Sequence, residues 1–217
     1  MQVLLDHLSA IIIGAAVLLI LAATQMHAQR ANIEQTASYA TKTKALSFGE
    51  WIENDILSLG ENFGRNRFRF ETPVSDTLGN TIYFAFFSDS INVSTGDTLR
   101  LMTRYQLENV GVVERGEITT PVFQLHRELA ESPVTNGTAP PPSTWTSDGR
   151  SLSTLSSFQI SMLDRDGRVT TDVESGDFIC VTFNLIPQFP VEPEYLRELY
   201  WTTTLKVRPF WDPPPGA

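Results

Sequence analysis

The chain has 217 residues, of which 41% are hydrophobic and 19% are charged. This composition fits a folded domain with an appendage and excludes a disordered chain. The net charge is −9 and the basic residues are scattered, so the chain lacks the basic stripe that nucleic-acid binding requires. The single cysteine, Cys180, excludes an intramolecular disulfide and is expected to be a small core residue.

The first segment is an uninterrupted apolar run. Residues 8–23 read LSAIIIGAAVLLILAA, and with residues 24–26 the run approaches the roughly 20 residues that cross a bilayer core. A secretory signal peptide is the competing interpretation, but such peptides begin with basic residues, whereas MQVLLDH carries the acid Asp6. We predict a hydrophobic helix segment over residues 1–27 that lies in a membrane or in a filament core.

The helix is predicted to continue through residues 28–64 as an amphipathic segment. Residues 27–63 contain no proline, and apolar residues recur on one helical face. They are Ile33, Ala37, Ala40, Phe48, Ile52, Ile56, Leu59 and Phe63. Residues 3–62 would then form one rod of roughly 90 Å.

A single-pass anchor with a helical stalk explains the same pattern. The first basic residue is Arg30, and the positive-inside rule places that flank in the cytoplasm. Either the C-terminal domain is cytoplasmic, or a basic leader preceded Met1 and has been removed. The rule does not decide between these two orientations.

Residues 65–217 are predicted to form a β-rich head of about seven strands, because β-branched and aromatic residues alternate there between glycine turns. The strand segments are FRFETPV, NTIYFAFFSDSINV, TLRLMTRYQLENVGVV, TPVFQLHREL, SSFQISMLD, FICVTFNLIPQF and YWTTTLKVRPFW. Asp166-Gly167 indicates a hairpin, and the proline-rich residues 132–150 indicate a long surface loop. The predicted class is α+β, with the long helix packed on a mostly antiparallel sheet.

The sequence carries no motif for catalysis. His7, His27 and His126 have no metal-ligand spacing, and no CxxC pair, GxSxG elbow or phosphate loop occurs. We predict neither enzyme activity nor a cofactor. Asp164, Asp166 and Asp172 beside Gly167 resemble part of a calcium loop without its closing glutamate, and a solvated hairpin turn is the preferred interpretation.

Asp6 is the one charged residue that precedes the apolar run. A carboxylate at the start of such a helix either has a specific partner within the membrane or filament core, or it lies among lipid headgroups. In the second case its negative charge interacts favourably with the helix dipole. Both interpretations remain open from the residues alone.

Three features of the chain resemble the type IV pilin and type II secretion pseudopilin family, most closely its larger minor subunits. They are the apolar run AIIIGAAVLLILAA after an acid, the segment EWIENDILSLGENFG (residues 50–64), and the order of the strands from LRLMTRYQL to TTTLKVRPF. The resemblance implies a structural subunit of a type IV pilus-like or pseudopilus filament. It also implies a monomer in the bacterial or archaeal cytoplasmic membrane, an extracellular filament at the cell surface, and no binding to nucleic acid.

The resemblance further implies which residues and partners serve assembly. Family members use an acidic residue near the start of the mature chain to meet the amino-terminal ammonium of a neighbouring subunit, and Asp6 would take this role, although the usual residue is Glu. The implied assembly residues are Met1, Asp6, Leu8, Ile11, Ile12, Gly14, Ala15, Val17, Leu18 and Leu21. The implied partners are other copies or related pilins and the assembly machinery. The alternative is a membrane-anchored β-domain that acts as an adhesin, another binding module or an accessory subunit of a membrane complex.

Overall fold

A computed structural model describes residues 2–59, 70–91, 97–115, 118–134, 141–151, 154–173, 175–187 and 198–207. The side chains of residues 2–6, 115 and 118 lie outside this description. In the described residues the chain forms one long helix, α1, followed by one sheet of nine strands.

Helix α1 runs without a break through Gln2–Leu57. Its 56 residues, at 1.5 Å each, give a rod about 84 Å long. The uninterrupted rod predicted for residues 3–62 is therefore confirmed as far as Leu57, and a turn at residues 58–59 follows. The last residues of the predicted rod lie outside the described part of the chain. Leucine and alanine favour the helix, and the first proline is Pro73.

The strands follow in chain order and pair only antiparallel in the described sheet. They are β1 (Val74–Ser75), β2 (Thr81–Ile91), β3 (Thr98–Arg115), β4 (Ile118–Pro133), β5 (Thr146–Arg150), β6 (Leu155–Leu163), β7 (Val169–Thr170), β8 (Phe178–Leu185) and β9 (Leu199–Lys206). Their order across the sheet is β1-β2-β3-β4-β6-β8-β9, with β5 paired to β4 and β7 paired to β6. The α+β class, a long helix packed on an antiparallel sheet, is confirmed.

The hydrophobic core lies between the C-terminal half of α1 and one face of the sheet, here called the inner face. The helix contributes Ala45, Phe48, Ile52, Ile56 and Leu59, each at most 8% exposed. The strands contribute alternate residues, as a half-buried sheet requires, including Phe84, Tyr105, Phe158, Val181 and Phe183. Apolar burial on this face fixes where the helix lies on the sheet.

The amphipathic prediction is correct only for its second half. Phe48, Ile52, Ile56 and Leu59 are buried as predicted, but Ile33 is 53% exposed and Ala40 is also exposed. Thr41 is the first buried residue among the described residues of α1. Phe63 lies outside the described residues.

Two sequence predictions about the head are wrong in part. Residues 132–150 are not one loop, since Ser132 is buried within β4 and Thr146–Arg150 forms β5, hydrogen-bonded to β4. Cys180 is not a core residue: its neighbours Ile179 and Val181 face the core, so Cys180 is half-buried on the opposite, outer face. There its Sγ lies 3.8 Å from the hydroxyl of Thr202.

Candidate functional site

The apolar half of α1 projects away from the sheet with all its faces exposed. Between residues 8 and 26 the large apolar side chains are 50% to 71% exposed. By length and composition the helix could cross a membrane, and its most apolar stretch has no residue buried inside the protein. We call the helix over residues 7–40 the arm. An exposed apolar surface of this extent in a soluble protein marks a site of association with lipid or protein.

The structure places most of the predicted assembly residues on this arm, where they make no contact with the head. Leu8, Ile11, Ile12, Val17, Leu18 and Leu21 all point into open space, on more than one face of the helix. Gly14 has no atom outside its own helix backbone and chain neighbours within 4 Å of an added Cβ. Ala15 is exposed as well. Met1 and the side chain of Asp6 lie outside the described residues, so the role of Asp6 stays a prediction.

Two threonine hydroxyls of the arm donate to carbonyl groups of the same helix. The hydroxyl of Thr24 donates to the Ile20 carbonyl, and that of Thr36 donates to the Asn32 carbonyl, each at 2.8 Å. Such bonds leave no hydroxyl in need of an outside partner. The arm around Thr24 can therefore enter an apolar environment without an unsatisfied hydroxyl.

A largely buried ion pair helps to hold the other half of α1 on the sheet. Asp55 accepts two hydrogen bonds from the Arg127 guanidinium, at 2.7 Å from Nε to Oδ2 and 3.0 Å from Nη2 to Oδ1. The Tyr105 hydroxyl donates to the same carboxylate at 2.5 Å. Tyr105 and Arg127 are direct partners across β3 and β4. We call Asp55, Tyr105 and Arg127 the Asp55 cluster.

The electrostatics of the cluster keep Tyr105 neutral. Burial raises the pKa of Tyr105 well above 10.0, and the negative charge of Asp55 raises it further. Arg127 also donates to Asp148 of β5, so the pair anchors the end of the proline-rich segment. A bidentate arginine–carboxylate pair fixes geometry as well as energy. The cluster therefore helps to fix the position of α1 on the sheet.

Sequence reasoning missed the Asp55 cluster, although one signal was present. Asp55 lies three residues after Ile52 and one before Ile56, which places a carboxylate on the apolar face of the helix. A charge on a buried face requires a partner of opposite sign. The identity of that partner, Arg127, depends on the strand register and could not be read from the sequence.

The helix approaches β9 closely at Gly49. A Cβ added there would lie 2.6 Å from Cζ2 of Trp201. Trp201 in turn stacks on Phe183 with ring centroids 4.7 Å apart, and Phe48 contacts the same Phe183 ring edge-on at 4.8 Å. Glycine is thus needed for this close contact between α1 and β9.

Two of the three calcium candidates, Asp164 and Asp166, lie in a hairpin turn, and the third, Asp172, follows β7. Oδ1 of Asp164 accepts the backbone N–H groups of Asp166 and Arg168 at 2.9 and 2.8 Å, and Gly167 adopts a φ of 77°. The Asp166-Gly167 hairpin is confirmed, because β6 and β7 pair on either side of it. No group of three histidine, cysteine or acidic side chains able to hold a metal is found within the described ranges.

The outer face of the sheet carries a shallow groove of about 600 Å³. Its lining includes Tyr83, Gln106, Glu108, His126 and Glu128. Nε2 of His126 lies 2.9 Å from a Glu108 oxygen, yet this buried nitrogen makes no hydrogen bond to a described residue. Burial, followed by a hydrogen bond to Glu71, raises the pKa of Tyr83 to about 12. The described lining of the groove presents phenol, amide, imidazole and carboxylate groups and contains no serine, threonine or cysteine.

Comparison of the chain with models of protein families, with curated proteins and with solved structures found no match in any of the three. The resemblance to pilins therefore rests on the residues of the chain alone.

Proposed function

We propose that the chain is a structural subunit of a type IV pilus-like or pseudopilus filament, assembled through the arm. The observation that carries the proposal is the continuity of α1 across two environments. One half of the helix is part of the core of the head, and the other half is apolar and exposed on all sides. Because the helix connects arm and head rigidly, the way in which the arms pack determines where the heads lie.

The apolar part of the arm, residues 8–26, is stable only where its surface is covered. A bare apolar helix is unfavourable in water, so this part requires either lipid or other apolar helices. In the cytoplasmic membrane of a bacterium or archaeon, lipid covers the arm of the monomer. In a filament at the cell surface, the arms of other copies or related pilins replace the lipid through close packing. Assembly machinery is expected to move the arm between these two environments.

Asp6 has a specific place in this proposal. A carboxylate that meets the amino-terminal ammonium of a neighbour fixes the axial register, and such pairs act more through specificity than through net stability. The Asp6→Ala variant should fold and insert into the membrane but incorporate poorly into filaments. Incorporation at the wild-type level would contradict this role.

The Gly14→Leu substitution tests the role of the arm without disturbing the head. Gly14 has open space around it in the monomer, so a larger side chain meets nothing there. Between packed helices, however, a residue without a Cβ allows close approach, and leucine would separate the backbones. We expect normal amounts of folded monomer and at least a tenfold loss of polymer, measured by sedimentation of material released from cells. Unchanged polymer would contradict assembly through this face.

A second candidate function is a membrane-anchored binding module. The groove lined by Tyr83, His126 and Glu128 favours it, since concave sites with a few polar groups bind ligands. In that case the arm stays in lipid, and detergent extracts a small particle. Sizing of the detergent-extracted native protein distinguishes the two functions, because a filament subunit also occurs in a sedimenting, membrane-free form.

A further inference from the structure

The C-terminal half of α1 has an outward face that the head does not cover. Between residues 39 and 57, one face is buried on the sheet, and six residues at helical spacing lie away from that face, five of them exposed and Glu53 half-buried. These residues, here called the outward stripe, are Tyr39, Lys42, Leu46, Glu50, Glu53 and Leu57. Tyr39, Leu46 and Leu57 are 73%, 60% and 43% exposed. The stripe is therefore an unpartnered surface that mixes apolar and charged groups.

The charges of the outward stripe are segregated along the helix. Lys42 lies at the end near the arm, and Glu50 and Glu53 lie at the end over the sheet. Neighbours on a helix surface are three or four positions apart, so a lysine eight positions from the nearest of these acids does not pair with it in the same helix. Within the ranges that the structure describes, no ion pair is formed by any of the three.

We propose that a second copy of this chain covers the outward stripe, parallel to the first and displaced along the helix axis by about eleven positions, roughly 16 Å. This displacement brings Lys42 of one copy opposite Glu53 of the other, with Glu50 within about one helical turn. It also brings Leu46 opposite Leu57, on the same helical face because eleven residues complete just over three turns. The proposal deepens the filament function and rests on it.

Charge complementarity and the distance of the outward stripe from the apolar run both favour a second copy of the chain over lipid. A contact between two different ends of the same stripe is heterologous, so each copy keeps one end free for the next and an open filament results. Lipid headgroups fit the stripe poorly. Lys42 lies 19 positions beyond Ala23, roughly 28 Å from the end of the apolar run, which exceeds the Debye length of about 8 Å. The two glutamates would also repel an anionic surface.

Charge reversal tests the contact. Lys42→Glu alone, or Glu50→Lys with Glu53→Lys, places like charges opposite each other, and we expect each variant to lose about tenfold in sedimenting polymer. The triple variant that combines all three changes restores opposite charges with exchanged signs and should regain most of the polymer. Glu131→Lys is the control, since Glu131 is an exposed acid of β4 outside both the arm and the outward stripe, and this change should alter polymer less than threefold. Circular dichroism of each monomer verifies the helix.

A cysteine pair gives a measurement that does not depend on charge. In a Cys180→Ser background, Leu46→Cys with Leu57→Cys should form a ladder of disulfide-linked multimers, because the two Cα atoms of adjacent copies would lie within about 7 Å. Either single cysteine should give dimers at most. Suppose that the wild-type protein forms polymer. The proposed contact is then overturned, while the filament function stands, by any one of three results: charge-reversal variants that polymerise normally, a triple variant that does not recover polymer, or a double-cysteine variant that forms no disulfide ladder. If wild-type protein forms no polymer, the filament function itself fails.

Discussion

Asp55 on α1 and Arg127 on β4, separated by 72 positions in the chain, share two hydrogen bonds of 2.7 and 3.0 Å. Their side chains are only 12% and 15% exposed. The pair lies where the helix crosses the β3–β4 hairpin, next to Tyr105. It joins the element that carries the arm to the element that forms the centre of the sheet.

Removal of the Asp55 charge should destabilise the head. Asp55→Asn keeps the shape but leaves the Arg127 guanidinium largely buried with a weaker acceptor, and we expect a loss of about 2–4 kcal/mol in the free energy of unfolding. Chemical denaturation of the detergent-solubilised full chain measures this loss. Glu50→Gln on the exposed face of the same helix is the control, with an expected change within about 0.5 kcal/mol. Equal losses in the two variants would show that the cluster has no special role.

The raised pKa of Tyr105 predicts a loss of stability in alkaline solution. Above pH 10, the unfolded tyrosine releases its proton while the folded one keeps it, so the unfolded state binds fewer protons and stability falls as pH rises. The stability is fully present below pH 10. One such group contributes a slope of at most about 1.4 kcal/mol per pH unit.

Tyr105→Phe should remove this pH dependence of stability. At neutral pH the lost hydrogen bond should lower the free energy of unfolding by about 1 kcal/mol. Denaturation curves for both proteins between pH 8 and 11 give the comparison. Tyr83, with its pKa of about 12, leaves a residual slope in the variant. Parallel pH profiles for the two proteins would refute the assignment to Tyr105.

Two glycines of the same helix should respond in opposite ways to alanine. Gly49→Ala forces a Cβ to 2.6 Å from the Trp201 ring and should destabilise the protein by about 1–3 kcal/mol. Gly14→Ala meets no atom and gains helix propensity, so it should leave stability unchanged or raise it by up to about 1 kcal/mol. Unfolding of both variants in detergent provides the test. A stable Gly49→Ala protein would mean that α1 and β9 are further apart than described.

The Asp164 turn should depend on its hydrogen bonds and not on calcium. Asp164→Ala removes the acceptor of two backbone N–H groups and should lower stability by about 1–2 kcal/mol. Asp166→Ala, at an exposed position, should change stability by less than about 0.5 kcal/mol. We expect no shift in the unfolding midpoint between millimolar calcium and chelator. A calcium-dependent shift that Asp164→Ala abolishes would instead establish a metal site.

The fold class could be predicted from the sequence because the helical and strand spacings of apolar residues each appear within a single segment. The apolar run at residues 8–23, the helical spacing of Phe48, Ile52 and Ile56, and the alternation along the later strands each indicate one element type. Strand β5 was missed because residues 146–150, TSDGR, lack the usual strand residues and are ordered by pairing with β4. Cys180 was misplaced because a continuous apolar run does not reveal which of its alternate residues face the core.

Part of the candidate site could likewise be predicted from the sequence, and part could not. The exposed arm follows from composition, and the structure adds only that no part of the head covers it in the described residues. The partner of Asp55 and the contact between Gly49 and Trp201 depend on register and helix placement, which are tertiary properties. The outward stripe became recognisable only when the buried face of α1 was known.

Electron cryo-microscopy of native material sheared from cells tests the central claim most directly. The account predicts helical polymers in which the α1 arms pack against one another along the axis and the sheets lie outside, without lipid. Particles of one copy with the arm enclosed in a detergent micelle or bilayer, and no polymer in any fraction, would contradict it.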